Sequence, residues 1–196
     1  VSLEYLNGEH TLIKDANPAS HGDLVSIGST NFLSPPARKA VLLVSPDHGT
    51  TWNSIPVLSP ELDHCNFLAV EPDQTHHKLH LLMIRVDTSN NDQIFAYARG
   101  NLVYTDGHVT GLTLDTKFDF AGNFADGWEV RANLKAVLDQ SGAETLLATV
   151  DGSDRGNASN TFRITARKSL TLTPAADSDF TDLAGVPGAY TELVSY

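Results

Sequence analysis

Apolar residues along this chain come in short runs separated by clusters of Gly, Asp, Asn and Ser, and helix-period spacing is scarce. Leu3–Leu6, Thr11–Ile13 and Leu24–Ile27 precede a Pro35-Pro36 break, and Ala40–Val44 and Ile55–Leu58 follow it. A second group comprises Asn66–Val70, Lys78–Asp87, Gln93–Ala98 and Leu102–Thr105. A third comprises Val130–Leu138, Thr145–Val150, Thr161–Ala166 and Leu170–Thr173, with Tyr190–Tyr196 at the end. Short alternating or fully apolar runs bounded by turn residues predict an all-β protein. Phe118 to Gly127, rich in aromatics and glycine, reads as a loop.

Between the runs of the first group lies Ser45-Pro46-Asp47-His48-Gly49-Thr50-Thr51-Trp52. Gly49 tolerates φ > 0, and the Asp47 carboxylate can accept bonds from N–H groups of its own turn, so a tight hairpin is predicted. Trp52 is then free to fold back over the turn as an apolar plug. The stretch fits Ser/Thr-x-Asp-x-Gly-x-Thr-Trp at every defined position, Ser45, Asp47, Gly49, Thr51 and Trp52, the pattern known as the Asp box. The box stabilises a turn and carries no chemistry of its own.

The groups also resemble one another. Leu68–Gln74 leads through a short turn into Leu81–Asp87, and Leu134–Gln140 leads likewise into Thr145–Asp151. The Asp-box register is echoed in Thr165–Leu172, where Ser169, Thr171 and Leu172 keep the places of Gly, Thr and Trp and the Asp is lost. A period of about 50–65 residues suits a four-stranded blade. The chain therefore divides into blade groups at approximately 20–60, 66–113 and 130–175, with 1–19 and 188–196 as parts of neighbouring blades.

Composition narrows the functions open to such a chain. Its 196 residues, 41% hydrophobic and 19% charged, suffice for a real core. A net charge of −11 without a Lys/Arg cluster repels phosphates, which disfavours nucleic acid and anionic membrane surfaces as partners. No apolar run approaches the roughly 18–20 residues of a membrane span. The single Cys65 excludes an internal disulfide framework and leaves the redox compartment open. The start at Val1 suggests a processed product or an excised piece, and the sequon Asn157-Ala158-Ser159 hints at secretion. No phosphate loop, Cys-x-x-Cys or Ser-His-Asp constellation is present, so no cofactor is expected.

The Asp box and the order of elements after it resemble the sialidase superfamily, closest to the trans-sialidase branch of cell-surface proteins. In that superfamily the box sits on the outer hairpins of β-propeller blades. The resemblance runs from about Lys39 to Tyr196 and implies about half of a six-bladed propeller, extracellular or at the cell surface. It implies a terminal sialic acid as ligand, on a glycan or glycoprotein. By the same resemblance Arg85, in Ile84-Arg85-Val86-Asp87, is a carboxylate-binding arginine. Tyr190, in Gly188-Ala189-Tyr190-Thr191-Glu192-Leu193, takes the place of the nucleophile.

Where the family has a Glu after the box hairpin, this chain has Asn66, in His64-Cys65-Asn66-Phe67. Arg155 and Arg163 lie near the place of a further Arg, out of register, and Leu24 to Lys39 holds no Phe/Tyr-Arg-Ile-Pro motif. A sialic acid carries its carboxylate on the anomeric carbon, so recognition needs a guanidinium fork and the nucleophile must be neutral. A Tyr without its paired base keeps a phenol pKa near ~10 and attacks poorly at neutral pH. The expectation is a site that binds a sugar and does not turn it over, with Asn66 on the same wall as Arg85. Further polypeptide, a second copy or the remainder of a longer chain, would complete the ring.

Other candidates are plainer. His76-His77-Lys78-Leu79-His80 reads as a solvated turn, because neighbours on a strand point to opposite faces, and no metal site is expected. Phe118, Phe120, Phe124 and Trp128 could stack on a sugar or pack over a blade edge. Beside the sialidase-type glycosidase stand two other classes: a non-catalytic adhesin propeller that binds glycans or proteins, and a structural β domain that uses the box as a staple.

Overall fold

Strand alternation in the sequence becomes pairing register in the structure. A computed structural model describes residues 13–14, 21–30, 39–73, 78–86, 93–124, 128–138, 144–154, 163–169 and 171–182. They form three antiparallel four-stranded sheets, each built from consecutive strands. The first contains β1 (Ile13–Lys14), β2 (Leu24–Ser29), β3 (Ala40–Ser45) and β4 (Asn53–Pro56). The second contains β5 (Cys65–Asp73), β6 (Lys78–Val86), β7 (Gln93–Thr105) and β8 (His108–Phe124). The third contains β9 (Trp128–Leu138), β10 (Glu144–Asp154), β11 (Arg163–Ser169) and β12 (Phe180–Asp182). No α-helix occurs among the described residues, only two short 3-10 turns. The all-β expectation holds.

The second sheet lies between the other two and is apolar on both faces. On β6, Leu79, Leu81 and Met83 enter one core, with Val25, Ile27, Leu42 and Val44 of the first sheet. Leu82 and Ile84 enter the other, with Leu134, Leu146 and Ala148 of the third. This is the period of two that gives a strand its two faces. It explains why β6 reads as an almost unbroken apolar run. On β7 the small Ala96 and Ala98 face the first core while Phe95 and Tyr97 face the second. A bulge between Phe67 and Ala69 resets the alternation on β5, so Phe67 and Val70 share the first core and Ala69 turns to the second.

Polar ties cross both cores. Asp23, fully buried, accepts the Val109 N–H at 2.8 Å and meets His108 Nδ1 at 3.0 Å, fixing the first sheet to β8. Glu71 on β5 accepts the Ala136 N–H at 3.1 Å and the Lys135 ammonium at 3.1 Å on β9. Arg99, 7% exposed, binds Asp115 at 2.8 Å and donates to the Pro174 carbonyl at 3.2 Å. Burying such groups is tolerable because each has a partner.

Two expectations change. Phe118 to Phe124, read as part of a loop, is the end of β8, with Phe118 opposite Tyr97 and Asp119 opposite Ala96. The alternation Lys117-Phe118-Asp119-Phe120 is the strand signal, outweighed in the sequence by Gly122 and Asn123. The second sheet accordingly runs on to Phe124, past the end of the 66–113 group. Its β7–β8 turn is a two-residue Asp106-Gly107 connection with both φ positive, 51° and 79°. That chemistry suits the right-handed twist of a hairpin.

Candidate functional site

The Asp47 turn is built from its own side chains. Ser45 ends β3 fully buried, accepts the Gly49 N–H at 2.6 Å and donates to Asp47 Oδ1 at 3.0 Å. Asp47 Oδ1 also accepts the Thr51 N–H at 2.7 Å, and Oδ2 accepts the Thr51 hydroxyl at 2.7 Å. His48 and Gly49 carry successive positive φ values of 56° and 101°. The Thr51 N–H, then the Thr51 hydroxyl, hold the Asp47 carboxyl below its usual value. Trp52, expected to close over the turn, keeps 36% of its surface exposed. The carboxylate is consumed by its turn, which leaves it no part in chemistry.

Arg85 stands near the end of β6, opposite Cys65 on β5 and Ile94 on β7. Its Nη2 donates to Asp119 Oδ2 on β8 at 2.8 Å. The other oxygen of Asp119 accepts Lys117 Nζ at 3.2 Å. Lys117 and Asp119 are two apart on one strand and so share a face. Arg85 Nε is buried and has no hydrogen-bond partner. At the same end of the sheet, Lys39, just before β3, pairs with Asp63, just before β5. Three cations, Arg85, Lys117 and Lys39, and two carboxylates, Asp119 and Asp63, thus gather at the Cys65 end of the second sheet.

The Cys65 thiol donates to the Asp63 carbonyl at 3.4 Å. Burial pushes it up to about 12, against the pull of Lys117 and Arg85 and with the push of Asp119 and Asp63. It is a protonated core residue and no nucleophile. For Asp119, burial raises the carboxyl, but the hydrogen bond from Arg85 and the charge and hydrogen bond of Lys117 together outweigh it and leave it lowered. Asp119 is therefore a carboxylate at neutral pH, and the formal charges of Arg85, Lys117 and Asp119 sum to a net positive charge. Chemically the cluster can hold an anion.

Asn66 and Arg85 do not meet. Cys65 pairs with Arg85 and Asn66 with Ile84, and cross-strand partners share a face. Arg85 therefore points to the side of the first core and Asn66 to the side of the second, so the expected common wall is not formed. Tyr190 lies outside the described residues, as do His76, His77, Asn157 and Arg155. His80 is buried, its Nδ1 2.7 Å from the Tyr97 hydroxyl. Phe118 and Phe120 stack with Phe95, Tyr97 and Phe180 between the second and third sheets instead of forming an open platform. Among the described residues no group of three or more His, Cys, Asp or Glu is placed to hold a metal ion.

Lys117 and Asp119 are the site residues that sequence reading missed. Their signal was the alternation of β8, hidden inside a stretch taken for a loop. Fold and site together define an all-β protein of stacked four-stranded sheets with a cationic cluster at one sheet end. Compared with protein-family models and with curated proteins, the chain matches none.

Proposed function

We propose that this chain is a portion of a sialidase-type β-propeller that recognises terminal sialic acid on glycans and does not hydrolyse it. The observation that carries the reading is the succession of three four-stranded antiparallel sheets, face to face, whose first member bears the Ser-x-Asp-x-Gly-x-Thr-Trp turn between β3 and β4. In this reading each sheet is a blade and further polypeptide, a second copy or the rest of a longer chain, completes the ring. Arg85 is the carboxylate clamp, Tyr190 the vestigial nucleophile, and the place of action is extracellular or the cell surface. A guanidinium is the group that a sugar carboxylate requires. Asn66, on the far side of the sheet, drops out of the clamp.

The second reading is a non-catalytic adhesin propeller that binds glycan or protein without regard to sialic acid. An amide at Asn66 where the family has its Glu favours it, because adhesion tolerates loss of a catalytic base and turnover does not. Binding of the whole chain to a sialylated glycoprotein before and after enzymatic desialylation separates the two. We expect binding that disappears on desialylation and no release of fluorophore from a fluorogenic sialoside, by the chain or by Asn66→Glu. Equal binding to both glycoprotein forms would favour the adhesin reading, and release of fluorophore would overturn the non-hydrolytic assignment.

A further inference from the structure

The pairing of Arg85 is incomplete in a particular way. A guanidinium presents Nε–H and one Nη2–H along a single edge, spaced for the two oxygens of one carboxylate. Asp119 uses half of that edge: Oδ2 takes Nη2 at 2.8 Å, while Oδ1 turns away to Lys117 at 3.2 Å and Nε is left without an acceptor. The three side chains are 31%, 38% and 17% exposed for Arg85, Asp119 and Lys117, while Nε itself is buried, so a solute meets Nη2 and Asp119 first and reaches Nε only as Asp119 moves aside. A buried N–H without an acceptor costs free energy that a second oxygen would recover. Asp119 has somewhere else to go, because Lys117 already holds one of its oxygens. The flanking charges do not compete for Arg85, since Asp63 is engaged by Lys39.

We propose that Asp119 is an intramolecular occupant of Arg85, and that a carboxylate ligand takes the Nε/Nη2 edge by displacing Asp119 onto Lys117. Identification of that ligand as a sialic acid rests on the function proposed above. The displacement itself rests only on the three side chains. Asp119 thereby lowers the affinity for any weak acid and admits only a ligand whose remaining contacts offset the exchange. Lys117 is a positioning residue: it receives the displaced carboxylate and keeps it from returning.

The test is titration of the full chain with N-acetylneuraminate and, separately, with glucuronate, a second sugar acid. Asp119→Asn keeps shape and loses the charge-assisted bond, so N-acetylneuraminate should bind it about tenfold more tightly, as expected when an occupied state is removed. Lys117→Met should weaken binding, since the displaced Asp119 then has no partner, and Arg85→Lys should abolish it. Tighter binding of both sugar acids to Asp119→Asn, with no preference between them, would uphold the displacement and sink the sialic acid assignment. Equal affinity of wild type and Asp119→Asn for N-acetylneuraminate would overturn the displacement and leave that assignment standing. Failure of both acids to bind wild type and Asp119→Asn, each melting cooperatively, would overturn the displacement outright. If Asp119→Asn does not fold, the Arg85 Nε resonance of the wild-type chain carries the same question. Saturating N-acetylneuraminate must move it, and an unmoved resonance in the presence of bound sugar would overturn the inference.

Discussion

The first and third sheets end their third strands on the same residue and then diverge. Ser45 closes β3 and Ser169 closes β11, both fully buried, and each accepts an N–H of the following turn: Gly49 at 2.6 Å and Thr171 at 3.3 Å. Counting from these serines, Thr171 takes the place of Asp47, Leu172 that of His48, and Thr173 that of Gly49. Thr171 acts as a reduced Asp47, its hydroxyl oxygen accepting the Thr173 N–H at 3.0 Å. The carboxylate that the third turn lacks arrives from further along, where Asp179 accepts the N–H groups of Ala175 and Ala176 at 2.7 and 3.0 Å.

The difference lies in what surrounds each turn. His48, Gly49 and Thr50 are exposed, so the first turn must be held by bonds within itself. Leu172 is 6% exposed in the second core and Pro174 receives Arg99, so the third turn is held by tertiary packing. The full Ser-x-Asp-x-Gly-x-Thr pattern appears where no such packing is on offer. Where packing exists, only Ser-x-Thr of the pattern is present.

Equivalent substitutions should therefore have unequal effects. The largest gap is expected between Leu172→Ala and His48→Ala. Truncating a buried leucine removes its transfer free energy and leaves a cavity, about 2–5 kcal/mol. His48 is exposed, so its truncation should stay within about 0.5 kcal/mol. Chemical denaturation of the two variants gives both numbers. Similar losses would mean that the two turns are held in the same way and would break the comparison.

A smaller gap separates Gly49→Ala from Thr173→Ala. The space at Gly49 is open, since an added Cβ would lie 3.7 Å from Leu24 Cδ1, an ordinary contact. Its φ of 101° is the obstacle. An L side chain there costs about 1–2 kcal/mol. Thr173 is exposed and has no positive φ, so its alanine variant should lose only a few tenths of a kcal/mol, on the order of a surface substitution. Equal denaturation midpoints for the two would show that the left-handed backbone is not what the first turn needs glycine for.

The same contrast accounts for what could be read from the sequence. The first turn was legible because every bond in it joins residues at most four apart. The repeated strands were legible too: Leu68 to Asp73 and Leu134 to Leu138 of the two similar segments lie on the first strands of the second and third sheets, β5 and β9, which are tied by Glu71. The echo in Thr165–Leu172 lies four residues early, on the body of β11, because its Ser and Thr match the Gly and Thr of the first turn. Only the position where β11 ends shows that Ser169 is the counterpart of Ser45. Arg85 stands out in the sequence, but its partner Asp119, and Lys117 that also binds Asp119, lie 34 and 32 residues away, two strands across. The opposite facing of Asn66 likewise depends on β5–β6 register, which no local pattern fixes.

The finest test concerns acid, because the first turn puts an ionised carboxylate where the third turn uses a neutral hydroxyl. Hydrogen bonds from Thr51, then from Ser45, hold the folded-state Asp47 carboxyl below its ordinary 3.8. The unfolded chain therefore takes up this proton first as pH falls. The contribution of Asp47 to stability is fully present above the unfolded-state value and is lost as pH falls through the lower folded-state value. In Asp47→Asn the amide cannot titrate, so the gap in Tm between wild type and variant should be constant near neutrality and close as pH falls below about 4. Asp115, held down by Arg99 and Lys78, and Asp119, held down against its burial by Arg85 and Lys117, are lowered as well. Both variants will thus keep an acid-labile background, and the closing of the gap, not the slope of either curve, is the signal. Replacing Thr171 with Asp should introduce an acid-dependent increment of the same sign into the third turn if that hydroxyl stands in for Asp47. A gap between wild type and Asp47→Asn that stays constant down to about pH 2 would show that Thr51 does not favour the ionised form of Asp47, and the turn would have to owe its stability to Ser45 and Gly49 alone.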